Sequence, residues 1–328
     1  MCPEEIMNIS QACELFDLYM ASGNYSDTTR VMYRWALRLL STYLNDPQLN
    51  TIRPDDLDRF WAYIRHDYTP TRMNGKTHPL SGRSLENIWT AQRSFFNWCV
   101  RSGKLKKRPD LLIEQPKYAE RIIQPFTPEE VARLIKHAQR TRPANTVKRS
   151  SFTMPRSTAK RDTAIIMLLA DTGMRVSECA RLRLADIDVQ AVAVTVQAFG
   201  TGRKTRQHTQ SLSKSTLLAI MEYKLHREER GSMDLDDPLF VTIQGNPMNK
   251  DSIRGVLSEI GRAAGIPNVH PHRFRHFFLS MRAADGAGEF VLTEELGLST
   301  TKTARHYVHL EKMKRNRPPS IMDRVMKM

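Results

Sequence analysis

The sequence predicts a mainly helical protein with one small antiparallel β-sheet. Apolar residues recur at helical spacing along most of the chain, while a β-branched, alternating segment occurs at 191–199. The 328 residues are enough for about two domains, because a domain usually contains roughly 100–200 residues. We therefore expect a helical domain over residues 1–118, a linker over 119–125 and an α+β domain over 126–328.

The first domain is predicted to contain four amphipathic helices joined by short polar segments. In the first two helices, the expected core-facing residues are Leu15, Leu18 and Tyr19, followed by Val31, Trp35, Leu39 and Tyr43. In the third and fourth they are Leu57, Phe60, Trp61 and Ile64, followed by Leu85, Ile88, Gln92, Phe95, Phe96 and Cys99. Four such helices predict a compact bundle whose aromatic residues form its core.

The second domain is predicted to open with a helix, because Thr127-Pro128-Glu129-Glu130 forms a capping box with proline at the first helical position. Residues 140–160 are rich in Arg, Ser, Thr and Pro and predict an exposed loop. Residues 161–182 predict two helices separated at 171–173. Segments 191–199 and 204–212 predict a hairpin, 239–241 a short strand, and the chain after 249 several helices.

The charge balance indicates a polyanionic partner. Fifty Lys and Arg residues face 35 Asp and Glu residues, a net charge of +15, and +12 of it lies in residues 119–328. Five cations occupy Arg101–Arg108 and seven occupy Arg140–Arg161, with no acidic residue in either run. Each run is either an ordinary solvated face or a phosphate-contacting surface.

Several classes of protein are disfavoured by the sequence. No apolar run approaches the roughly 20 residues that span a bilayer, and the N-terminus lacks a signal-peptide pattern. The four cysteines are scattered without a CxxC pair, which indicates reduced thiols. We expect a cytoplasmic protein that uses no metal, no cofactor and no membrane.

Three separate segments carry the candidate chemistry. They are the TGMRVSE segment at 172–178, the HRFRH segment at 272–276, and Tyr307, which follows Leu298 of Leu-Gly-Leu by nine residues. Their order and spacing resemble the tyrosine recombinases, or phage integrases, over about residues 127–310. The resemblance implies an N-terminal SAM-like helical core-binding domain that helps to clamp DNA, and an α+β tyrosine-recombinase catalytic domain.

The resemblance also implies the roles of individual residues. Arg175 and Arg275 would bind the scissile phosphate, Glu178 would brace Arg175, His272 would assist proton transfer and Tyr307 would be the nucleophile. The residue types suit this chemistry, because phosphoryl transfer accumulates negative charge that guanidinium groups stabilise. Tyrosine, with an ordinary pKa of about 10, needs assistance to attack at neutral pH.

Two positions depart from the family pattern. The lysine usual in the hairpin turn is replaced by Thr201, and Lys204 is the expected general acid instead. Leu298 stands where the family has histidine or tryptophan, and leucine cannot donate a hydrogen bond to a phosphate. The missing donor leaves open a catalytically weak or inactive DNA-binding relative.

The function implied is that of a site-specific DNA recombinase or integrase. The resemblance is to the two-domain, Xer-like or transposon-type recombinases that serve transposons, plasmids, integrons and chromosome resolution. The protein would cut and rejoin double-stranded recombination sites through a 3′-phosphotyrosyl intermediate and a Holliday junction, as a homotetramer on DNA. An accessory DNA-bending or directionality factor is a further candidate partner. The expected phosphate-contacting residues are Arg101, Lys104, Lys106, Lys107, Arg108, Lys148, Arg149, Arg203 and Arg273. Residues 312–328 either dock on a neighbouring subunit or form a disordered end.

Three other classes of protein share some of these sequence features. A type IB topoisomerase uses the same strand-cleavage chemistry as a monomer. A helix-turn-helix regulator would explain the charge but not the ordered Arg, His-x-x-Arg and Tyr set. A metal-dependent nuclease would need clustered acidic residues, which the sequence lacks.

Overall fold

The computed structural model describes residues 7–71, 75, 77–119, 123–140, 144–146, 149–152, 154–199, 207–229, 231, 233–298 and 300–315. The chain divides into two compact units, Met1–Arg121 and Ile122–Met328. The predicted linker of residues 119–125 includes this division. Within the described ranges, no helix is long and apolar enough to cross a membrane.

The first unit is a bundle of four helices with a short 3₁₀ turn at Leu49–Thr51 between the second and the third. The helices are α1 (Ile9–Ser22), α2 (Asp27–Tyr43), α3 (Pro54–His66) and α4 (Gly82–Arg101). Ser26 caps α2 and Ser81 caps α4, since each hydroxyl accepts a hydrogen bond from the backbone N–H three residues later. Pro54 starts α3 at a position where no backbone N–H is needed.

The core faces of the bundle agree with the sequence for two helices and differ for the other two. All four predicted residues of α3 are buried, as are the predicted residues of α4 from Ile88 onward. In α1 the prediction is wrong, because Leu15, Leu18 and Tyr19 are exposed. In α2, Val31 and Trp35 are exposed, whereas Leu39 and Tyr43 are partly buried against the core. The buried residues of these two helices are Ile9, Ala12, Phe16 and Met20, and Tyr33, Ala36, Leu37 and Leu40. Both helices carry two apolar stripes, and only the packing selects one.

The second unit is α+β, which confirms the predicted fold class. Its helices are α5 (Pro128–Gln139), α6 (Ala159–Thr172), α7 (Val176–Cys179), α8 (Lys214–Glu228), α9 (Lys250–Ala263), α10 (Pro271–Ala284), α11 (Glu289–Glu295) and α12 (Lys302–Arg315). A 3₁₀ turn spans Leu184–Asp186. The strands are β1 (Ala144–Thr146), β2 (Arg149–Phe152), β3 (Ile187–Asp188), β4 (Ala193–Val196) and β5 (His208–Ser211).

The sheet of this unit is antiparallel with the order β3-β4-β5. Strands β4 and β5 form the predicted hairpin, in register from Ala193 opposite Ser211 to Val196 opposite His208. Strands β1 and β2 form a separate antiparallel pair, so the expectation of a loop over 140–160 is wrong. That pair depends on backbone hydrogen bonds between two short polar segments, which leave no periodicity in the sequence.

The predicted strand at 239–241 is also wrong. Only isolated bridges occur beside it, from Arg183 to Pro238 and from Val241 to Pro247. Pro238 has no backbone N–H to donate, which prevents an extended ladder there. Phe240 is nonetheless buried and stacks on Tyr223 at 5.7 Å between ring centroids.

Helix α6 forms the centre of the second unit. Its apolar side chains Ala164, Ile165, Ile166, Leu168 and Leu169 are fully buried, and the helix packs against α5, α8 and α10. At its first turn, Arg161 is buried against Asp162 and donates a hydrogen bond to the carbonyl of Val241 at 3.0 Å. A buried arginine needs such partners, because an unpaired charge in the core is costly. Arg161 therefore supports the fold rather than extending a surface for DNA.

Helix α6 ends at Gly173, which joins it closely to α10. Gly173 has φ of +59°, a left-handed conformation that favours glycine. A Cβ at this position would lie 2.8 Å from the side chain of Phe278 on α10. The carbonyl of Gly173 accepts a hydrogen bond from Arg275 Nη1 at 2.9 Å. The glycine thus allows two helices to approach and leaves a carbonyl free for Arg275.

We expect Gly173→Ala to lower the free energy of unfolding measured in urea. The left-handed backbone costs a residue with a Cβ about 1–2 kcal/mol. The contact with Phe278 adds an overpacking cost of about 1–3 kcal/mol.

The matched control is Gly255→Ala in α9, where no heavy atom lies within 4 Å of the added Cβ. Alanine in a helix interior is more favourable than glycine by about 0.5–1 kcal/mol, so this variant should gain stability. Equal stability of the Gly173→Ala variant and the unaltered protein would contradict the prediction.

Candidate active site

Arg175 and Glu178 form an ion pair at the start of α7. The Arg175 guanidinium donates to Glu178 Oε1 at 2.8 Å, and the Arg175 backbone N–H donates to Oε2 at 2.6 Å. The sequence predicted both residues on one helix, but Arg175 is the N-cap, with φ of −70° and ψ of 147°. Glu178 occupies the third helical position, where a carboxylate closes a capping box. The Glu178 side chain is buried, whereas that of Arg175 is one-third exposed.

Arg275 lies on α10 and is the more deeply buried arginine, at 3% exposure. Burial and the nearby positive charge of Arg175 lower its pKa to about 10, while Glu178 opposes that shift. It therefore stays protonated at neutral pH. Its Nη1 is satisfied by Gly173, but its buried Nη2 forms no hydrogen bond to any described residue. A buried charged donor without a protein acceptor is unusual, and it suits an anionic ligand.

His272 and His276 stand one turn apart on α10. Their rings lie 4.5 Å apart between centroids in an edge-on arrangement. The His272 residue is exposed overall, but partial desolvation of its ring lowers its pKa. The positive charges of Arg275, His270 and Arg175 lower it further. The ring is consequently biased toward the neutral form, which can accept a proton.

Tyr307 lies on α12 and is brought to this site by an apolar cluster. The phenol is buried at 7% exposure among residues of α10, α11 and α12: Phe278, Leu279, Ala283, Leu292, Leu296 and Ala304. Its hydroxyl is hydrogen-bonded to Nδ1 of His276. The His306 ring lies 5.5 Å from the Tyr307 ring, edge-on. The candidate nucleophile is thus positioned by packing and by one histidine.

The position of Leu298 is apolar in the structure as well as in the sequence. Leu298 is partly buried against the cluster around Tyr307. The preceding Gly297 has φ of +54°, and a Cβ there would lie 2.6 Å from Nδ1 of His208. The start of β5 therefore lies close to the α11–α12 turn, where the left-handed backbone of Gly297 favours glycine.

Several predicted site residues fall outside this description. Lys204, Arg203 and Lys148 lie outside the described residues, and so does the end of the chain after residue 315. Arg149 lies in β2, and its side chain is not among those described. Their roles stay predictions.

The predicted phosphate-contacting residues differ in their surroundings. Arg101, Lys106 and Lys107 are exposed. Lys104 lies over the Trp98 ring at 5.7 Å. Arg108 makes a two-point ion pair with buried Asp110, at 3.0 and 2.8 Å.

Arg273 has an intrachain role. Its guanidinium lies 4.0 Å from the centroid of the Phe126 ring and pairs with Glu130 at 2.9 Å. It also donates to the carbonyls of Gln124 and Pro267. These contacts attach the segment before α5 to α10, which is a structural function for a cation predicted to meet DNA.

His276 is the residue that the sequence reasoning missed. No role is predicted for it from the HRFRH segment, although its spacing of four residues from His272 places both on one helix face. That spacing was the available signal. Burial and the positive charges of His272, His270, Arg275 and His306 lower its pKa to about 4, so the ring is neutral at pH 7.

The described site therefore contains two guanidinium groups, two neutral histidines and a phenol. Guanidinium groups can stabilise the charge that develops on a phosphoryl group, and a phenol can form a covalent phosphoester. Among the described residues, no group of three or more His, Cys, Asp or Glu side chains is arranged to hold a metal ion.

Comparison with known proteins agrees with this geometry. The family model described as "Phage integrase family" matches residues 124–314, which is more than half of the chain. The tyrosine recombinase XerC of Bacillus subtilis (strain 168) is 27% identical over 311 residues, covering 93% of both chains. The tyrosine recombinase XerD of Listeria innocua is 25% identical over 292 residues, covering 89% of this chain and 84% of the relative.

Solved structures share the fold. The Tn1549 transposon integrase in complex with transposon right end DNA aligns with a TM-score of 0.71 at 16% identity, over 94% of this chain and 99% of that one. A lambda integrase tetramer bound to a Holliday junction aligns with a TM-score of 0.67 at 14% identity, over 93% and 78%. The chain therefore belongs to the phage integrase family of tyrosine site-specific recombinases.

Proposed function

We propose that this protein cuts and rejoins DNA at specific sites, with Tyr307 as the nucleophile. Tyr307 Oη attacks a phosphodiester, the bond to the 5′ oxygen breaks, and a 3′-phosphotyrosyl link remains. A 5′ hydroxyl from the partner duplex reverses the step, so no external energy source is needed. Arg175 and Arg275 stabilise the phosphoryl oxygens, Glu178 holds Arg175, His272 assists proton transfer and Lys204 protonates the leaving oxygen.

The observation that carries this proposal is the unused donor of Arg275. Its Nη2 is buried, charged and without an acceptor among the described residues. Arg175, which shifts the pKa of Arg275, supplies a second, partly exposed guanidinium. Two such groups beside a buried tyrosine favour transition-state stabilisation of phosphoryl transfer. The family match supports site-specific recombination and does not favour strand-cleaving topoisomerase activity or an inactive relative.

We further propose the assembly and setting in which the reaction occurs. By analogy with the lambda integrase tetramer bound to a Holliday junction, four copies act on two DNA duplexes. The helical first unit, residues 1–118 with the linker 119–125, contributes to holding the duplex. The protein works in the cytoplasm beside the nucleoid, with an accessory DNA-bending or directionality factor as a further partner.

The covalent intermediate is the direct test. We expect the protein to form a DNA adduct with a pool of nicked duplexes whose central segment is randomised, because loss of the short cleaved strand prevents rejoining. The adduct, resolved by denaturing electrophoresis and identified by sequencing, should be absent with Tyr307→Phe. Failure of the unaltered protein to form any adduct would contradict the proposed function.

The general acid has its own test. We expect Lys204→Ala to slow cleavage by about 10²–10⁴-fold, because the departing 5′ oxygen then lacks a proton donor. A substrate with sulfur at the 5′ bridging position needs no such donor and should be cleaved at the rate of the unaltered protein. Thr201→Ala, three positions earlier in the sequence, should cleave both substrates normally. Slow cleavage of the sulfur substrate by Lys204→Ala would remove Lys204 from this role.

Phosphate contacts by the basic segment should be visible in the salt dependence of DNA binding. For Arg101→Ala combined with Lys107→Ala, we expect the negative slope of log affinity against log salt to become shallower by about 1.8, since each phosphate contact contributes about −0.9. Lys214→Ala combined with Lys250→Ala removes two exposed cations elsewhere and should leave the slope unchanged. Equal slopes for the two double variants would argue against contact through this segment.

A further inference from the structure

The hydroxyl of Tyr307 has one described hydrogen-bond partner, and it is His276. The bond joins Oη on α12 to Nδ1 on α10, across 31 positions in the chain. His272, the histidine expected to move the proton, contacts the His276 ring but forms no hydrogen bond to Tyr307 among the described contacts. The histidine hydrogen-bonded to the nucleophilic oxygen is therefore a different one from the histidine expected.

The other ring nitrogen of His276, Nε2, has no described hydrogen bond that would compete with the bond to Tyr307. Nε2 is buried and forms no hydrogen bond to any described residue. A neutral imidazole has one nitrogen that donates and one that accepts. Since Nε2 has no partner among the described polar groups, the bond to Tyr307 is the described hydrogen bond that orients the His276 ring.

The charges around His276 keep its ring neutral at pH 7, which is the form that can accept a proton. His270, His272 and Arg275 face it from the α10 side and His306 from α12, and with burial they lower its pKa to about 4. A phosphodiester bound at Arg275 and Arg175 would add negative charge to the same site. That charge opposes the repulsion from the cations, so substrate binding makes the imidazole a stronger base.

Leu298 gives this contact added weight. The α11–α12 turn presents an apolar side chain to the cluster around Tyr307 and offers no polar group from that position. Among the described contacts, the hydrogen-bond partner of the phenol hydroxyl is therefore supplied from α10.

We propose that His276 is a catalytic residue that takes the phenolic proton of Tyr307. This inference rests on the proposed function. As Oη forms its bond to phosphorus, its proton passes to Nδ1 of His276. The bond from phosphorus to the 5′ oxygen breaks, and that oxygen takes a proton from the general acid assigned to Lys204. In rejoining, the 5′ hydroxyl gives its proton back to the acid, and His276 returns its proton to Oη.

Single-turnover cleavage of a nicked duplex recovered from the randomised pool tests the assignment. We expect His276→Ala to slow cleavage by about 10²–10⁴-fold with DNA affinity preserved. Its rate should rise with pH toward the ordinary phenol pKa of about 10, while that of the unaltered protein changes little. Imidazole added to the solution should restore part of the rate.

Two variants separate proton acceptance from other roles. His276→Asn retains a hydrogen-bonding side chain that cannot take up a proton, so it should be as slow as His276→Ala. His309→Ala removes an exposed histidine from α12 and should cleave at the normal rate. Full activity of His276→Asn, or slow His276→Ala cleavage that neither imidazole nor higher pH improves, would overturn the proposal.

A measurement without DNA covers the case in which His276→Ala does not fold. In ¹⁵N NMR spectra of the imidazole groups, the Nδ1 resonance of His276 should shift in Tyr307→Phe, because its hydrogen-bond partner is lost. An unchanged resonance would overturn the inference and leave the proposed function intact. If the unaltered protein forms no adduct with DNA, the proposed function fails instead, and the proton transfer fails with it.

Discussion

The hydrogen bond from Arg275 to the carbonyl of Gly173 is the interaction on which the described site depends. The carbonyl belongs to the C-terminal end of α6, where backbone acceptors have no partner within the helix. A buried guanidinium satisfies it, and the glycine conformation allows α10 to come close enough. The same junction leads directly into Arg175, so one local geometry positions both arginines.

The two arginines at this junction differ in how far their positive charge is neutralised. Glu178 forms an ion pair with the Arg175 guanidinium at 2.8 Å, whereas Arg275 is buried with only a carbonyl as its described partner. The lowered pKa values of Arg275, His272 and His276 share this cause, because burial and unbalanced positive charge both disfavour further protonation. An anionic phosphodiester offsets this excess positive charge, so substrate binding stabilises the arrangement of the site.

The cationic side chains elsewhere in the protein fall into two groups: some form ion pairs within the chain, and others are exposed to solvent. Arg161, Arg273 and Arg108 each have a carboxylate partner within the chain. Arg156, which falls in the same basic run as Arg161, pairs with Asp162 and Glu259. A net charge of +15 therefore overstates the number of cations that can meet DNA. Exposed members such as Arg101 and Lys107 retain that capacity.

The sequence by itself determined the fold class and the family, because both depend on local patterns. Helical periodicity marked α3 and α4, β-branched alternation marked β4, and the ordered Arg175, His272, Arg275 and Tyr307 set marked the catalytic unit. Choosing between two apolar stripes, as in α1 and α2, requires knowing what packs against each helix.

Only the tertiary structure decided which side chains meet. His276 contacts Tyr307 across 31 positions, and Arg273 contacts Glu130 across 143. Neither pairing leaves a periodic signal, because each arises from the packing of helices that are distant in the chain. The sequence identified the chemical groups of the site. The packing of α10 against α6 and α12 decided which of these groups interact electrostatically or by hydrogen bonds.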